Sequence, residues 1–230
     1  MIPLRDENPA QRTAIVTRVL IVLNVLGFLQ QMFQGDGIRD FLFAWGFIPE
    51  RLTAALVGAG DPSAVGLSLV SSMFLHGGWL HLLGNMWYLW IFGDNIEDRL
   101  GHLRFLVFYL VAGIVSALAH AFFNPGSPVP TVGASGAIAG VLGAYAQAFP
   151  RARVVTLVPI FFFFQVIALP ALLVLGLWFV FQFLSGALSM GGAGSGGVAW
   201  WAHIGGFAFG YVVMAWLSRP AKRSGAWVEP

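Results

Sequence analysis

At residues 133–143 the chain carries the stretch GASGAIAGVLG, which opens an apolar segment. A second apolar segment contains the stretch AHIGGFAFG at residues 202–210. Small residues recur four positions apart in both, at Gly136, Gly140, Gly206 and Gly210. This spacing lets two membrane helices approach closely. Because a hydroxyl and an imidazole are costly in apolar segments unless they are paired, the two stretches predict that Ser135 meets His203 between two such helices.

Composition indicates a membrane protein. Hydrophobic residues make up 58% of the 230 residues, charged residues make up 10%, and the mean hydropathy is +0.79. A soluble domain of this length cannot bury that much apolar surface. The net charge is +2, but the 12 Lys and Arg are scattered singly and form no basic face, so nucleic acid is not an expected partner. The absence of cysteine excludes disulfides, thiolate catalysis and Cys-based metal sites.

The apolar segments predict an all-α integral membrane protein with a single six-helix domain over residues 1–230. The predicted spans, each near the ~20 residues that a bilayer requires, are about 14–33, 79–96, 104–123, 134–149, 168–188 and 199–217. The first span is expected to be a retained helix rather than a signal peptide. The outer loop, 34–78, is expected to be interfacial, because its apolar runs are too short to span. Prolines interrupt the run before the fifth span, so residues 154–164 are assigned to an interfacial lead-in.

The distribution of Lys and Arg orients these spans. Only Arg39 and Arg51 fall in connections on one side, which leaves ten of the 12 basic residues on the other. Since an excess of Lys and Arg marks the cytoplasmic side, both termini are expected to be cytoplasmic.

With this orientation, four polar residues are predicted to lie in one leaflet. Ser135 opens the fourth span from outside, and at ~1.5 Å per residue His203 lies roughly 7 Å inside the sixth. His81 and Asn85 fall roughly 5 to 10 Å below the same surface, and their four-residue spacing puts them on one helix face. The agreement in depth predicts a single site.

The chemistry of these groups predicts acyl transfer. A neutral serine is a poor nucleophile and needs a base to accept its proton, and His203 is the candidate base. The negative oxygen of a tetrahedral intermediate needs preorganised donors. Asn85, His81 and the backbone N–H of Ser135 at a helix N-terminus are candidates, and we include Gly133, which opens the motif, among the oxyanion residues.

The acidic residues favour a Ser-His dyad over a triad. No Asp or Glu lies on the outer half of any span, so the imidazole is expected to be held by packing, against an aromatic such as Trp200 or Trp201. Ser195 lies in a glycine-rich loop that cannot hold a nucleophile in the required geometry. We therefore exclude Ser195 as the nucleophile.

These residues resemble the rhomboid family of intramembrane serine proteases, and the resemblance covers nearly all six spans. The residues that carry it are Gly133-Ala134-Ser135-Gly136, His203 with Gly206 and Gly210, the series His76, His81 and Asn85, and Glu97 with Arg99. The resemblance implies that Ser135 is the nucleophile and His203 the general base, and that His81 and Asn85 stabilise the oxyanion. For Glu97 and Arg99 it implies a structural role at the inner end of the second span.

The resemblance also implies a setting for catalysis. It includes a water-filled cavity open to the outside, a flexible cap at residues 189–198 and a substrate gate near the fifth span. Substrates would be single-pass membrane proteins, cut in or near the outer part of a transmembrane helix. Two features depart from the family pattern: Ala139 stands where many members carry an aromatic, and the outer loop has separated Trp45 and Arg51 rather than an adjacent Trp-Arg pair.

Two other functions are alternatives to proteolysis. A catalytically silent rhomboid-like protein would bind membrane clients, and loss of the serine or histidine would favour it, but both are present. A transporter or metal carrier would use the histidines His76, His81, His120 and His203. Cation carriers usually place carboxylates inside their spans, whereas the acidic residues here lie at or near span ends. We expect no cofactor and no metal, and a bacterial plasma membrane location, with an organelle membrane of bacterial descent as the alternative.

Overall fold

The computed structural model describes residues 1–160, 163–189 and 199–218. Its helices are α1 (Ile15–Met32), α2 (Ile38–Trp45), α3 (Pro49–Leu56), α4 (Pro62–Ser71), α5 (Trp79–Leu100), α6 (His102–Phe123), α7 (Ser135–Ala148), α8 (Ala171–Ser189) and α9 (Trp200–Leu217). Its strands are β1 (Ile2–Asp6), β2 (Arg153–Ile160) and β3 (Phe163–Pro170). Short 3-10 turns lie at Gly35–Gly37 and Ser72–Phe74.

The long helices form the predicted membrane bundle. Helices α1, α5, α6, α7, α8 and α9 coincide with the six apolar segments of the sequence. By length and composition, α1 and α6 each suffice to cross a membrane, and the pair Pro62–Phe74 and Trp79–Leu100, bent by 82°, would add a third span among the described residues. The fold is therefore a helical membrane bundle, and the number of six spans stays a prediction.

Helix α7 lies at the centre of the bundle. Every residue from Gly136 to Ala146 is buried, so this helix of only 14 residues contacts protein on all sides. An apolar helix without a polar face is typical of such a position. Its neighbours α5, α6, α8 and α9 surround it, whereas α1 packs on α5.

Glycine contacts bring α7 and α9 together. A side chain at Gly210 would overlap the carbonyl oxygen of Gly140, and one at Gly206 would overlap that of Gly136. Helix α6 joins the same contact, because the Ser116 hydroxyl donates to the Ala202 carbonyl at 2.6 Å. The backbones of α7 and α9 can approach this closely only because the contacting positions lack a Cβ.

The chain differs from the expectation at the end of the bundle opposite Ser135. Of the predicted interfacial lead-in, residues 154–160 belong to β2 and residues 163–164 to β3, which pairs antiparallel with β2 and extends through Pro170, so α8 begins at Ala171 rather than at 168. The run is rich in β-branched residues, Val154 and Thr156 are buried, and β1 adds a third strand next to β2. Proline interrupts helices, so the strand conformation suits both Pro159 and Pro170.

The outer loop is also more ordered than an interfacial run. It contains α2, α3 and α4, and a backbone bridge joins Phe47 to Thr131 through N–H···O bonds of 3.1 and 2.7 Å. This bridge anchors the outer loop to the segment that leads into α7.

Glu97 connects the inner ends of α5 and α1. Its buried carboxylate, 1% exposed, accepts the backbone N–H groups of Val16 at 2.8 Å and Thr17 at 2.7 Å, and the Thr17 hydroxyl at 2.7 Å. These N–H groups at the start of α1 have no partner within their own helix. His102 Nδ1 lies 2.6 Å from the same carboxylate. Arg99 is exposed, and no ion pair joins it to the described part of the chain.

Asp6 attaches the N-terminal strand to the bundle. Its carboxylate accepts from the Tyr145 hydroxyl at 2.6 Å and from Asn95 Nδ2 at 3.0 Å. Trp87 Nε1 donates to the Pro3 carbonyl at 2.7 Å, which gives the strand a second anchor. Burial raises the pKa of Asp6 to about 6, and the nearby Asp94 contributes in the same direction.

We expect the strand to be held more firmly at pH 5 than at pH 7.5. A carboxyl whose pKa is higher in the folded protein than its usual 3.8 stabilises the fold most when protonated, so this contribution is lost as pH rises through about 6. Hydrogen exchange of the β1 amides, corrected for intrinsic rates, measures the effect. Asp6→Asn should remove the pH difference and Glu7→Gln should retain it. A difference that persists in Asp6→Asn would contradict this assignment.

A substitution at the α7–α9 contact should separate the two helices. Gly210→Ala places a methyl group on the Gly140 carbonyl, so we expect the free energy of unfolding to fall by about 1–3 kcal/mol, as for overpacked cores. Thermal unfolding in detergent micelles measures the change. Gly176→Ala on α8 is the matched control, because nothing lies within 4 Å of its added methyl group. Equal stability of both variants would argue against a tight contact.

Candidate functional site

Ser135 is the first residue of α7, where the chain turns sharply into the helix. Gly133 has a φ of +126°, a conformation that L side chains rarely adopt, and its N–H donates to the Ser72 carbonyl at 2.9 Å. Ala134 already has helical dihedral angles. The turn therefore places the Ser135 side chain at the end of the buried helix, next to the first turn of α9.

The serine and histidine predicted to meet are in hydrogen-bonding contact. Ser135 Oγ lies 2.8 Å from His203 Nε2, although 68 residues separate them in sequence. His203 lies in the first turn of α9, where its backbone N–H donates to the Ala199 carbonyl at 3.3 Å. The glycine contacts between α7 and α9 bring these two helix ends together.

Gln182 of α8 contacts the other nitrogen of the same imidazole. Its Oε1 lies 2.7 Å from His203 Nδ1, and its side chain is only 6% exposed. Gln182 is not among the residues predicted from the sequence. A signal for it was present, because Gln182 is the one amide side chain of the strongly apolar helix α8, and a polar group in such a position needs a partner as much as Ser135 and His203 do.

The aromatic contacts of His203 differ in part from the prediction. The Trp200 ring lies 6.4 Å from the imidazole, edge to face, and the Trp178 ring of α8 lies 5.9 Å away, both between centroids. Trp201 instead stacks on Phe123 with centroids 3.9 Å apart. Of the two alternatives Trp200 and Trp201, Trp200 is therefore the one that contacts His203, because consecutive residues on a helix point in different directions.

His81 and Asn85 converge on Gly133. A Cβ at Gly133 would lie 2.8 Å from His81 Nε2 and 3.6 Å from Asn85 Nδ2. The backbone N–H of Gly77 donates to His81 Nδ1 at 3.2 Å, so in the neutral ring the proton is on Nε2, the atom nearer Gly133. Two N–H donors thus lie beside the backbone that precedes Ser135.

Asn85 is buried without a partner for its N–H groups. Its side chain is 8% exposed, and Nδ2 makes no hydrogen bond within the described residues. Buried donors in proteins are nearly always satisfied, and exceptions are concentrated where a reacting group or ligand binds. This free donor lies beside Gly133, two residues before Ser135.

His76 lies behind His81 rather than beside Ser135. It is fully buried, its ring is 5.3 Å from that of His81, and its backbone exchanges two hydrogen bonds with the Gln31 amide, of 2.6 and 3.0 Å. Both ring nitrogens lack a partner among the described residues. This position makes His76 a support for His81.

Other predicted features are outside the site or outside the described residues. Asp94, Glu97 and Asp98 lie at the opposite end of α5 from His81. Ser195 and residues 190–198 of the expected cap are not among the described residues. Within the described ranges, no group of three or more His, Cys, Asp or Glu residues could hold a metal ion.

Comparison with known proteins adds a family relationship to this geometry. A family model for the Rhomboid domain matches residues 64–220. The mitochondrial presenilin-associated rhomboid-like protein A of Danio rerio is 36% identical over 133 residues, which cover 55% of this chain and 35% of that protein. RHOMBOID-like protein 4 of Arabidopsis thaliana is 30% identical over 214 residues, 84% of this chain and 50% of its own length. The rhomboid protease GluP of Bacillus subtilis (strain 168) is 46% identical over 76 residues, 33% of this chain and 14% of that protein. The chain spans half or less of the length of these three relatives.

Proposed function

The chain belongs to the rhomboid family, and we propose that it is a serine endopeptidase that cleaves transmembrane segments of membrane proteins near the outer membrane face. The observation that carries the proposal is the 2.8 Å contact between Ser135 Oγ and His203 Nε2. The free N–H donor of Asn85 nearby supports it. The name of one bacterial relative, a rhomboid protease, agrees with this chemistry.

In the proposed reaction His203 acts twice. Its Nε2 accepts the Ser135 proton as the serine oxygen attacks the amide carbonyl, and the imidazolium then gives that proton to the leaving amine. The resulting acyl-enzyme is hydrolysed when His203 takes a proton from water in the same way. No carboxylate takes part, so the reaction uses a dyad.

The oxyanion would be stabilised by donors that are already in position. His81 Nε2 and Asn85 Nδ2 lie beside Gly133, 2.8 and 3.6 Å from the position of a Cβ on that residue, and the proposal adds the backbone N–H of Ser135 as a third donor. The N-terminus of α7 adds its positive dipole end. Because these groups are at least partly buried within the bundle, each hydrogen bond to the developing charge is stronger than it would be in bulk water.

The proposed substrate is a single-pass membrane protein. The reacting groups are at one end of the bundle, in the first turns of α5, α7 and α9, and not at its middle. A substrate helix must expose a carbonyl there, which small or helix-breaking residues near its outer end would allow. Two of the three relatives reported above are named as mitochondrial or bacterial proteins, so we propose a bacterial plasma membrane or an organelle membrane of bacterial descent, with both termini on the inner side.

Substitution of the two proposed catalytic residues tests the function directly. We expect Ser135→Ala to abolish cleavage of a model transmembrane substrate in liposomes, by on the order of 10⁶-fold in kcat if the residues act as a unit. His203→Ala should lose as much as the double variant, since the serine needs its base. A fluorophosphonate probe should label the wild type at Ser135, and peptide mapping identifies the labelled residue.

Ser127→Ala, in the loop before α7, is the matched control and should retain cleavage and labelling. Cleavage by a folded Ser135→Ala protein would rule out the proposed nucleophile. A wild type that binds a transmembrane client but neither cleaves nor reacts with the probe would favour the alternative of a catalytically silent, client-binding protein.

Asn85→Ala tests the proposed oxyanion donors. Removing one such donor typically lowers kcat by about 10²–10³-fold, or roughly 3 kcal/mol in the barrier, so turnover should stay measurable. Since the ground-state serine and histidine are untouched, KM should change little. Steady-state kinetics in liposomes measures both constants. If Asn85→Ala changed KM alone, the residue would be a binding or packing residue instead.

A further inference from the structure

We propose that Gln182 is a positioning residue that holds His203 in the tautomer able to act as a base. The proposal deepens the proposed protease function and rests on it. Gln182 Oε1 lies 2.7 Å from His203 Nδ1, on the side of the ring opposite to Ser135. The three side chains thus form one line of hydrogen bonds across α8, α9 and α7.

The direction of these hydrogen bonds decides the protonation of the ring. A carbonyl oxygen such as Oε1 only accepts, so Nδ1 must be the donor. In a neutral imidazole Nε2 then has no proton, and its lone pair faces the Ser135 hydroxyl at 2.8 Å. The opposite tautomer would direct a proton at the serine oxygen and could not accept one from it. Gln182 therefore selects the productive form of the base.

Gln182 supplies this function without a charge. A carboxylate in an apolar helix of a membrane protein is costly to bury, whereas an amide buries only a dipole and its oxygen is paired here. The acceptor thus replaces the orienting acid of a triad, which is absent from this end of the spans. The weaker field of a neutral acceptor should stabilise the imidazolium less than a carboxylate does.

The two halves of α8 differ in how far their side chains are buried, and Gln182 lies in the more exposed half. In the first half of the helix Ala171, Val174 and Leu175 are buried against the bundle. In the second half, neighbouring Phe181, Phe183 and Leu184 are exposed. Among the side chains described there, Gln182 alone is buried. Trp178, one turn earlier, faces the same imidazole. The second half of α8 therefore contacts α9 through the hydrogen bond of Gln182 to His203 and through the ring pairs Phe181–Trp200 and Phe183–Trp201.

Two substitutions separate the acceptor from the shape of the side chain. Gln182→Met keeps the length and approximate volume but removes the acceptor, so kcat should fall by roughly 10- to 100-fold with KM nearly unchanged, a smaller loss than the ~10⁴-fold that follows when a charged triad acid is replaced. Gln182→Glu keeps an acceptor oxygen in either protonation state and should retain activity within about tenfold. Gln147→Met, the same change at the inner end of α7, is the control and should leave kcat unchanged.

A second measurement reports the tautomer itself. Solid-state NMR of protein labelled with ¹⁵N and ¹³C at its histidines, in liposomes, distinguishes a ring protonated on Nδ1 from one protonated on Nε2. The His203 signal, identified by its loss in His203→Gln, should report Nδ1–H in the wild type and in Gln147→Met, and a shift toward Nε2–H in Gln182→Met. Thermal unfolding verifies that each variant is folded.

The outcomes of the two experiments are distinguishable. An active wild type with an equally active Gln182→Met variant, or an unchanged His203 tautomer in that variant, overturns the positioning role and leaves the protease function intact. A loss of kcat in Gln182→Met without recovery in Gln182→Glu also overturns it, since shape rather than the acceptor would then matter. If the wild type neither cleaves nor reacts with a fluorophosphonate, the proposed function fails, and the NMR measurement still decides whether Gln182 sets the tautomer.

Discussion

The close contact of α7 with α9 is the constraint on which the candidate site depends. Gly140 and Gly210, and likewise Gly136 and Gly206, bring the two backbones to a separation that no Cβ would permit. In a lipid environment apolar side chains gain little by leaving the solvent, so packing of this kind, rather than a hydrophobic driving force, holds helices together. The same contact sets the 2.8 Å separation between Ser135 and His203.

Pairing of polar groups is the second organising rule of this bundle. Glu97 satisfies the open N–H groups at the start of α1, Ser116 bonds the backbone of α9, and Gln182 bonds His203. An unpaired polar group in such surroundings is expensive. Asn85 departs from this rule, as do His76 and His120 among the described residues, and its open donor lies beside Gly133. A buried donor without a partner costs free energy, and such a cost calls for an explanation, such as a catalytic role. Asn85 therefore says more about function than the paired polar residues do.

The end of the bundle opposite Ser135 is built differently from the helical core. There the chain adds a three-stranded sheet to the helical bundle, and β1 is attached through Asp6 and Trp87. Strand β2 pairs with its neighbour β3 and also with residues 2–6, about 150 positions away in sequence. Local periodicity carries no information about such a partner, so an apolar run interrupted by prolines was interpreted as an interfacial segment.

The sequence by itself determined the membrane class, the positions of the six long helices, the glycine spacing and the pairing of Ser135 with His203, because each of these follows from composition or from regular spacing along a helix. Only the tertiary structure decided which side chains surround the imidazole. It brought Gln182 to Nδ1, turned Trp201 toward Phe123 and aimed His81 and Asn85 at Gly133. These contacts depend on how helices that are far apart in sequence cross and on how each helix is rotated about its own axis. The sequence pattern shows which residues share a face of one helix, but it does not show which neighbouring helix that face meets.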